Sequence, residues 1–117
     1  MQTHHPDPAY QQFVAEIKQR IRRAQYQALK AVNQEQIQLY WELGRLIVER
    51  QQQHGWGKSI VEQLARELQI EFRGTGGFSA RNLWYMRRFY EHYHQHEILQ
   101  PKVAEISWSH NILILEK

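Results

Sequence analysis

Between Tyr10 and Ala31, apolar residues recur alternately four and three positions apart, at Tyr10, Val14, Ile17, Ile21, Ala24, Ala28 and Ala31. A strand turns neighbouring side chains to opposite faces, so this spacing forms one continuous stripe only on a helix. Phe13, Leu29 and Val32 widen the stripe, while Lys18, Arg22, Arg23 and Lys30 occupy the opposite side. Pro8, preceded by Asp7, suits the first helical position. Heptad spacing over three repeats admits two readings: an amphipathic helix lying on its own core, or a seam that pairs two copies of the chain.

The run continues past Asn33, which either breaks the helix or only punctuates it. From Gln34 to Gln53, one stripe is drawn by Ile37, Tyr40, Trp41, Gly44, Ile47 and Val48, and a second by Leu39, Leu43 and Leu46. A helix that is apolar on two sides is expected between partners, and Gly44 at its middle costs helix stability unless another helix crosses close by. His54-Gly55-Trp56-Gly57-Lys58 is a stop. A third helix then opens near Ser59, with Ile60, Val61, Leu64, Ala65, Leu68 and Phe72 inward. The glycine-rich segment Arg73 to Phe78 ends it, and Ser79 is the expected N-cap of a fourth helix reaching about Tyr93. A short apolar stretch, Val103 to Ile106, and Ser107-Trp108-Ser109-His110 lead into the final residues, Asn111 to Lys117.

Few glycines and prolines, and many glutamines, favour helices over the many turns of a sandwich or barrel. The sequence predicts an all-α fold: a helical domain with a long N-terminal helix or helix pair and a helix-turn-helix-like unit. Residues 1–9 are expected to be a flexible tail and 10–117 one helical domain, since 117 residues, 42% of them apolar, suit a single small core. Ile112 to Leu115 carry no stop signal, which suggests a domain cut from a longer polypeptide.

Chemistry is constrained by absences. There is no cysteine, so disulfides and thiolate metal sites are excluded. The first residues lack a signal-peptide apolar core, and no apolar run approaches the roughly 20 residues of a membrane span. A cytoplasmic protein with no membrane partner is expected. Asp7 is the sole aspartate, and neither paired carboxylates nor a nucleophile with a His–acid pair stands out. No catalytic site and no cofactor are expected on this chain. Gly55-Trp56-Gly57-Lys58-Ser59 superficially suggests a phosphate loop, but Gln52 stands where that loop needs a glycine. His92, His94 and His96 place only two rings on one helical face, which fits a solvated helix end better than a metal site.

The third helix, its turn and the fourth helix resemble a helix-turn-helix, in which the second helix enters the major groove of DNA. On the fourth helix, Leu83, Met86, Tyr90 and Tyr93 fall in one arc and are expected to be buried. Opposite lie Arg81, Tyr85, Arg88 and His92, with Trp84 at the edge and no acidic residue until Glu91 on the flank. A solvated face more often mixes both signs. Guanidinium groups can donate in pairs to guanine or phosphate, and Tyr85 can stack or bond a phosphate. The net charge of +3 is compatible with a polyanionic partner. Arg81, Tyr85 and Arg88 are thus expected to contact the groove, and Lys58, Arg87 and Arg73 to hold phosphates. Ser79 would cap the reading helix, and Asn82 would lie at the boundary or brace the turn. The turn exceeds the three or four residues of a standard unit.

Leu39-Tyr40-Trp41-Glu42-Leu43-Gly44, Gly55-Trp56-Gly57, Leu64 and Leu68, Gly77-Phe78-Ser79, Arg81-Asn82-Leu83, Met86-Arg87, Phe89-Tyr90 and Ser107-Trp108-Ser109-His110 together resemble the N-terminal domain of the bacterial YhcG-type proteins. The resemblance spans about residues 10 to 117. It implies a helical, DNA-binding N-terminal domain followed, in the parent polypeptide, by a PD-(D/E)xK-type nuclease domain whose catalytic residues are not in this chain. It also implies core roles for Trp41, Trp56, Leu83, Met86 and Trp108. The expected function is DNA binding, on duplex DNA, that targets the attached nuclease. The rival is a protein-interaction or dimerisation module working through the first helix. RNA stays open as a third partner, though no aromatic-strand RNA signature is present.

Overall fold

The computed structural model describes residues 7–96 and 100–117, so most of the expected flexible tail lies outside the described residues. Among the described residues five helices follow in order: α1 Pro8–His54, α2 Ser59–Glu71, α3 Ala80–Tyr93, α4 Gln100–Val103 and α5 Trp108–Leu115. Among the described residues there is no strand, and the fold is all-α. The Asp7 carboxylate accepts the Ala9 amide at 3.0 Å and closes the first turn of α1, as the Asp-Pro start predicts.

The helix does not break at Asn33. The Asn33 side-chain amide donates to the Ile106 carbonyl at 3.2 Å, which gives a poor helix former a role inside a continuous helix. The chain divides into two compact units between Val32 and Asn33. In the first, the helical residues Pro8 to Val32 are all exposed except half-buried Val14.

The second unit holds the core. From α1 come Ile37, Tyr40 and Ile47, from α2 Val61 and Ala65, and from α5 Trp108 and Leu115. At the centre sits α3, whose Leu83, Met86 and Phe89 are at most 1% exposed. Burying each such side chain contributes roughly 1.5–3 kcal/mol. The wheel reading of α3 was right for Leu83, Met86 and Tyr93, but Phe89 is buried where Tyr90 was expected, and Tyr90 is half-buried. Trp41 from α1 meets the Phe89 ring edge-on at 5.4 Å and Trp108 from α5 does so at 5.4 Å, so the covering helices turn the core toward Phe89.

Gly44 lies where α1 crosses α3. A Cβ there would come 2.1 Å from the Met86 carbonyl oxygen and 2.7 Å from its carbon, so two backbones meet at a distance only glycine permits. The close crossing expected from the sequence is present.

Other expectations fail at the edges. Trp56 is 45% exposed and stacks on His54 at 4.5 Å rather than entering the core. Phe72, at 47%, is also exposed because α2 has already ended at Glu71, and it packs at 5.8 Å on Phe78 of the following turn. Asn111 is fully buried, and its amide nitrogen donates to the carbonyls of Val103, Ile106 and Ser107, fixing the bend between α4 and α5.

Candidate nucleic-acid interface

Residues 72–79 join α2 to α3 and set where α3 begins. Ser79 has extended backbone (φ −70°, ψ 157°), and its hydroxyl accepts the Asn82 amide at 3.1 Å, the N-cap expected from the sequence. Just before it, Gly77 takes φ +102°, and a Cβ there would meet the Tyr40 hydroxyl at 2.4 Å. Both the dihedral and the neighbour require glycine.

Asn82 ties this turn to the rest of the core. Its amide nitrogen donates to the Gly77 carbonyl at 2.6 Å, and its oxygen accepts the indole N–H of Trp108 at 2.7 Å. Of the two roles foreseen for this residue, the structure displays the brace: both ends of the side chain are engaged within the protein.

The first turns of α3 open into a cleft of about 810 Å³. Gln36 and Tyr40 of α1 line one side, Thr75, Gly76 and Gly77 of the turn another, and Ser79, Arg81, Asn82 and Tyr85 the α3 wall. Four of the eight predicted site residues are thus brought together. The Arg81 side chain is 79% exposed, donates to the Tyr85 hydroxyl at 3.2 Å, and lies over the Tyr85 ring at 5.5 Å. The hydrogen bond to Tyr85, and secondarily the nearby Glu116 carboxylate, hold the Arg81 guanidinium above its ordinary pKa, so it stays cationic.

The remaining four are dispersed. Arg88 is exposed but donates to the backbone carbonyl of Leu115. Arg87 points elsewhere: it donates to Gln51 of α1 at 2.7 Å and to Glu91 at 2.7 Å, and it lies 5.3 Å over the Trp84 ring. Lys58 precedes α2 with no side-chain cap bond, and Arg73 lies in the turn; both are exposed and neither lines the cleft.

One residue escaped the sequence reading. Glu116, just beyond α5, accepts a hydrogen bond from the Tyr85 hydroxyl and stands 3.6 Å from Arg81. The side of α3 that reads as purely cationic along its own helix therefore receives a carboxylate from a distant part of the chain. No periodicity links residue 116 to residue 85, so only the packing of α5 on α3 reveals it.

No helix among the described residues is long and apolar enough to cross a membrane. The family described as DUF1016 N-terminal domain matches residues 16–117. Over 102 residues the chain is 31% identical to a protein of Escherichia coli (strain K12) named "Putative nuclease YhcG"; the match covers 84% of this chain and 27% of that protein. The chain thus corresponds to about a quarter of that relative's length. No solved structure matches it significantly. With the family match covering most of its residues, the chain belongs to the DUF1016 N-terminal domain family, as a YhcG-family N-terminal domain.

Proposed function

We propose that this domain binds duplex DNA through the exposed side of α3 and so places an attached nuclease domain on its substrate. The observation that carries this reading is the exposed Arg81 guanidinium lining the α3 cleft, beside Tyr85 and within the first helical turn after the Ser79 cap. A helix N-terminus that opens outward, with a fixed cation beside it, suits a phosphate oxygen or a base edge. The name of the Escherichia coli relative points to a nucleic-acid substrate for the longer protein. In this reading Arg81 and Arg88 make the principal contacts and Tyr85 lies alongside. Lys58 and Arg73 reach phosphates further out, with Arg87 held at the flank. Ser79 and Asn82 position the helix. The domain contributes binding rather than catalysis, needs no cofactor, and works in the cytoplasm.

Affinity of this kind is largely electrostatic and falls steeply with salt. Fluorescence anisotropy of labelled duplex DNA, at low and moderate salt, tests it with wild type and with Arg81→Ala/Arg88→Ala. The double variant is expected to bind at least tenfold more weakly, with the slope of log affinity against log salt reduced by about two. Wild-type protein that ignores DNA at low salt would sink the proposal.

A second reading has its own observation. The apolar residues Phe13, Ile17, Ile21, Leu29 and Val32 of α1 are 41–71% exposed, as a protein-interaction surface would be.

A further inference from the structure

Helical segments are stabilised mainly by covering an apolar face, yet α1 leaves Ile17 41% and Ile21 52% exposed. Setting Val14 and Ile21 at heptad position a puts Ile17, Ala24 and Ala31 at d and Ala28 at the next a. The seam is therefore bulky in its first half and small in its second. That asymmetry selects an orientation. Parallel pairing would set isoleucine on isoleucine at one end and alanine on alanine at the other, although interaxial distance follows side-chain size. Antiparallel pairing sets a bulky residue against a small one in every layer.

We propose that α1 pairs with α1 of a second copy as an antiparallel coiled coil. Val14 lies against Ala31 of the other chain, Ile17 against Ala28 and Ile21 against Ala24, each layer occurring twice about the two-fold axis. The flanking charges favour this register. Lys18 at e faces Gln25 of the second copy, and Arg20 at g faces Gln27, so no like charges meet. Slipping by one heptad would set Lys18 against Lys18 and Arg20 against Arg20. Arg20 is also paired within its own helix, 3.2 Å from Glu16. Tyr26 and Leu29, at f and b, take no part.

The seam from Val14 to Ala31 is about 27 Å long. Two helices over that length bury on the order of 1,000 Å² in total, near the threshold for a specific interface, which places the pairing among weak rather than obligate dimers. This inference goes beyond the nucleic-acid reading and does not depend on it; loss of DNA binding would leave it intact.

The chain has no cysteine, so introduced thiols report cleanly on orientation. Sedimentation velocity at up to about 100 µM is expected to show a dimer that Ile17→Asp/Ile21→Asp converts to monomer with unchanged melting of the 33–117 core. Under mild oxidation, an equimolar mixture of Ile17→Cys and Ala28→Cys chains is expected to form the mixed disulfide dimer. Ala28→Cys alone should not link, because its two copies would lie about 16 Å apart along the axis, well beyond disulfide reach. A wild-type monomer at the highest concentration, a trimer or larger assembly, or ready linkage of Ala28→Cys to itself would each overturn the proposal.

Discussion

The two ends of the molecule's helical repertoire invite comparison: α3 and the first 25 residues of α1 carry equally regular apolar stripes, yet they meet opposite environments. On α3 the stripe disappears, with Leu83 and Met86 at 0% and Phe89 at 1% exposure. Along α1 before Asn33 it stays in view, with Ile17 at 41% and Ile21 at 52%. Periodicity shows that a face wants to be covered, but it does not say by what. The cover for α3 comes from parts of the same chain, α1, α2 and α5. For the α1 stripe the proposed cover is another molecule. One consequence is that the same kind of substitution should have very different effects in the two places.

The largest contrast is expected at Leu83. Leu83→Ala removes a wholly buried side chain from the helix at the centre of the core and should cost about 2–5 kcal/mol in chemical denaturation. A neutral result would mean that the core of residues 33–117 is packed differently. Next comes Gly44→Ala, which adds only a methyl group but directs it at the Met86 backbone. Overpacking typically costs about 1–3 kcal/mol, and backbone cannot swing aside as a side chain can. The better helix propensity of alanine returns about 1 kcal/mol. A net loss of up to about 2 kcal/mol is expected, whereas a gain would show that the helices separate freely. By contrast, Ile21→Ala, measured in dilute solution where chains are monomeric, should change stability by less than about 0.5 kcal/mol, because the side chain is already half in water. A loss as large as that of Leu83→Ala would erase the distinction between the two regions.

Local signals explain what was legible in advance. The Ser79 cap, the start of α2 at Ser59, the end of α3 at Tyr93 and the close approach at Gly44 each depend on residues within a few positions, or on a glycine whose cost needs a reason. What was not legible depends on distant partners. Asn33 reads as either a break or mere punctuation of the helix until the Ile106 carbonyl is seen to receive its amide. Phe89 reads as lying off the buried arc until Trp41 and Trp108 are found against it. The family resemblance implies a core role for Trp56, yet it stacks on His54 at the surface. The candidate interface shows the same division. Arg81 and Tyr85 follow from the helical wheel, whereas the carboxylate beside them belongs to Glu116, whose position depends on how α5 docks.

Glu116 yields the prediction with the smallest expected effect on stability and the sharpest one for function. Its carboxylate accepts from Tyr85 and lies 3.6 Å from Arg81, but it is 41% exposed in its side chain and belongs to the last residues of the chain. Exposed pairs of this kind add little to folding, so Glu116→Gln should leave the melting temperature nearly unchanged, and the amide oxygen can still accept from Tyr85. Toward DNA the two effects part. If phosphates approach the Arg81 side of α3, they must approach Glu116 as well, and the carboxylate repels them while occupying part of the arginine's field. Removing that charge should tighten duplex binding several-fold at low salt, with the gain shrinking as salt screens it. The sign matters more than the size. Arg81→Ala/Arg88→Ala weakening DNA binding could reflect any loss of positive charge, and Glu116→Gln strengthening it could reflect any loss of negative charge, so Glu116→Gln is compared with Glu35→Gln, which removes an equal charge elsewhere; a larger gain for Glu116→Gln places the nucleic acid at this corner, where α5 meets α3. An unchanged affinity in Glu116→Gln would move the contact away from the Arg81 cleft, toward Lys58 and Arg73 on the α2 side.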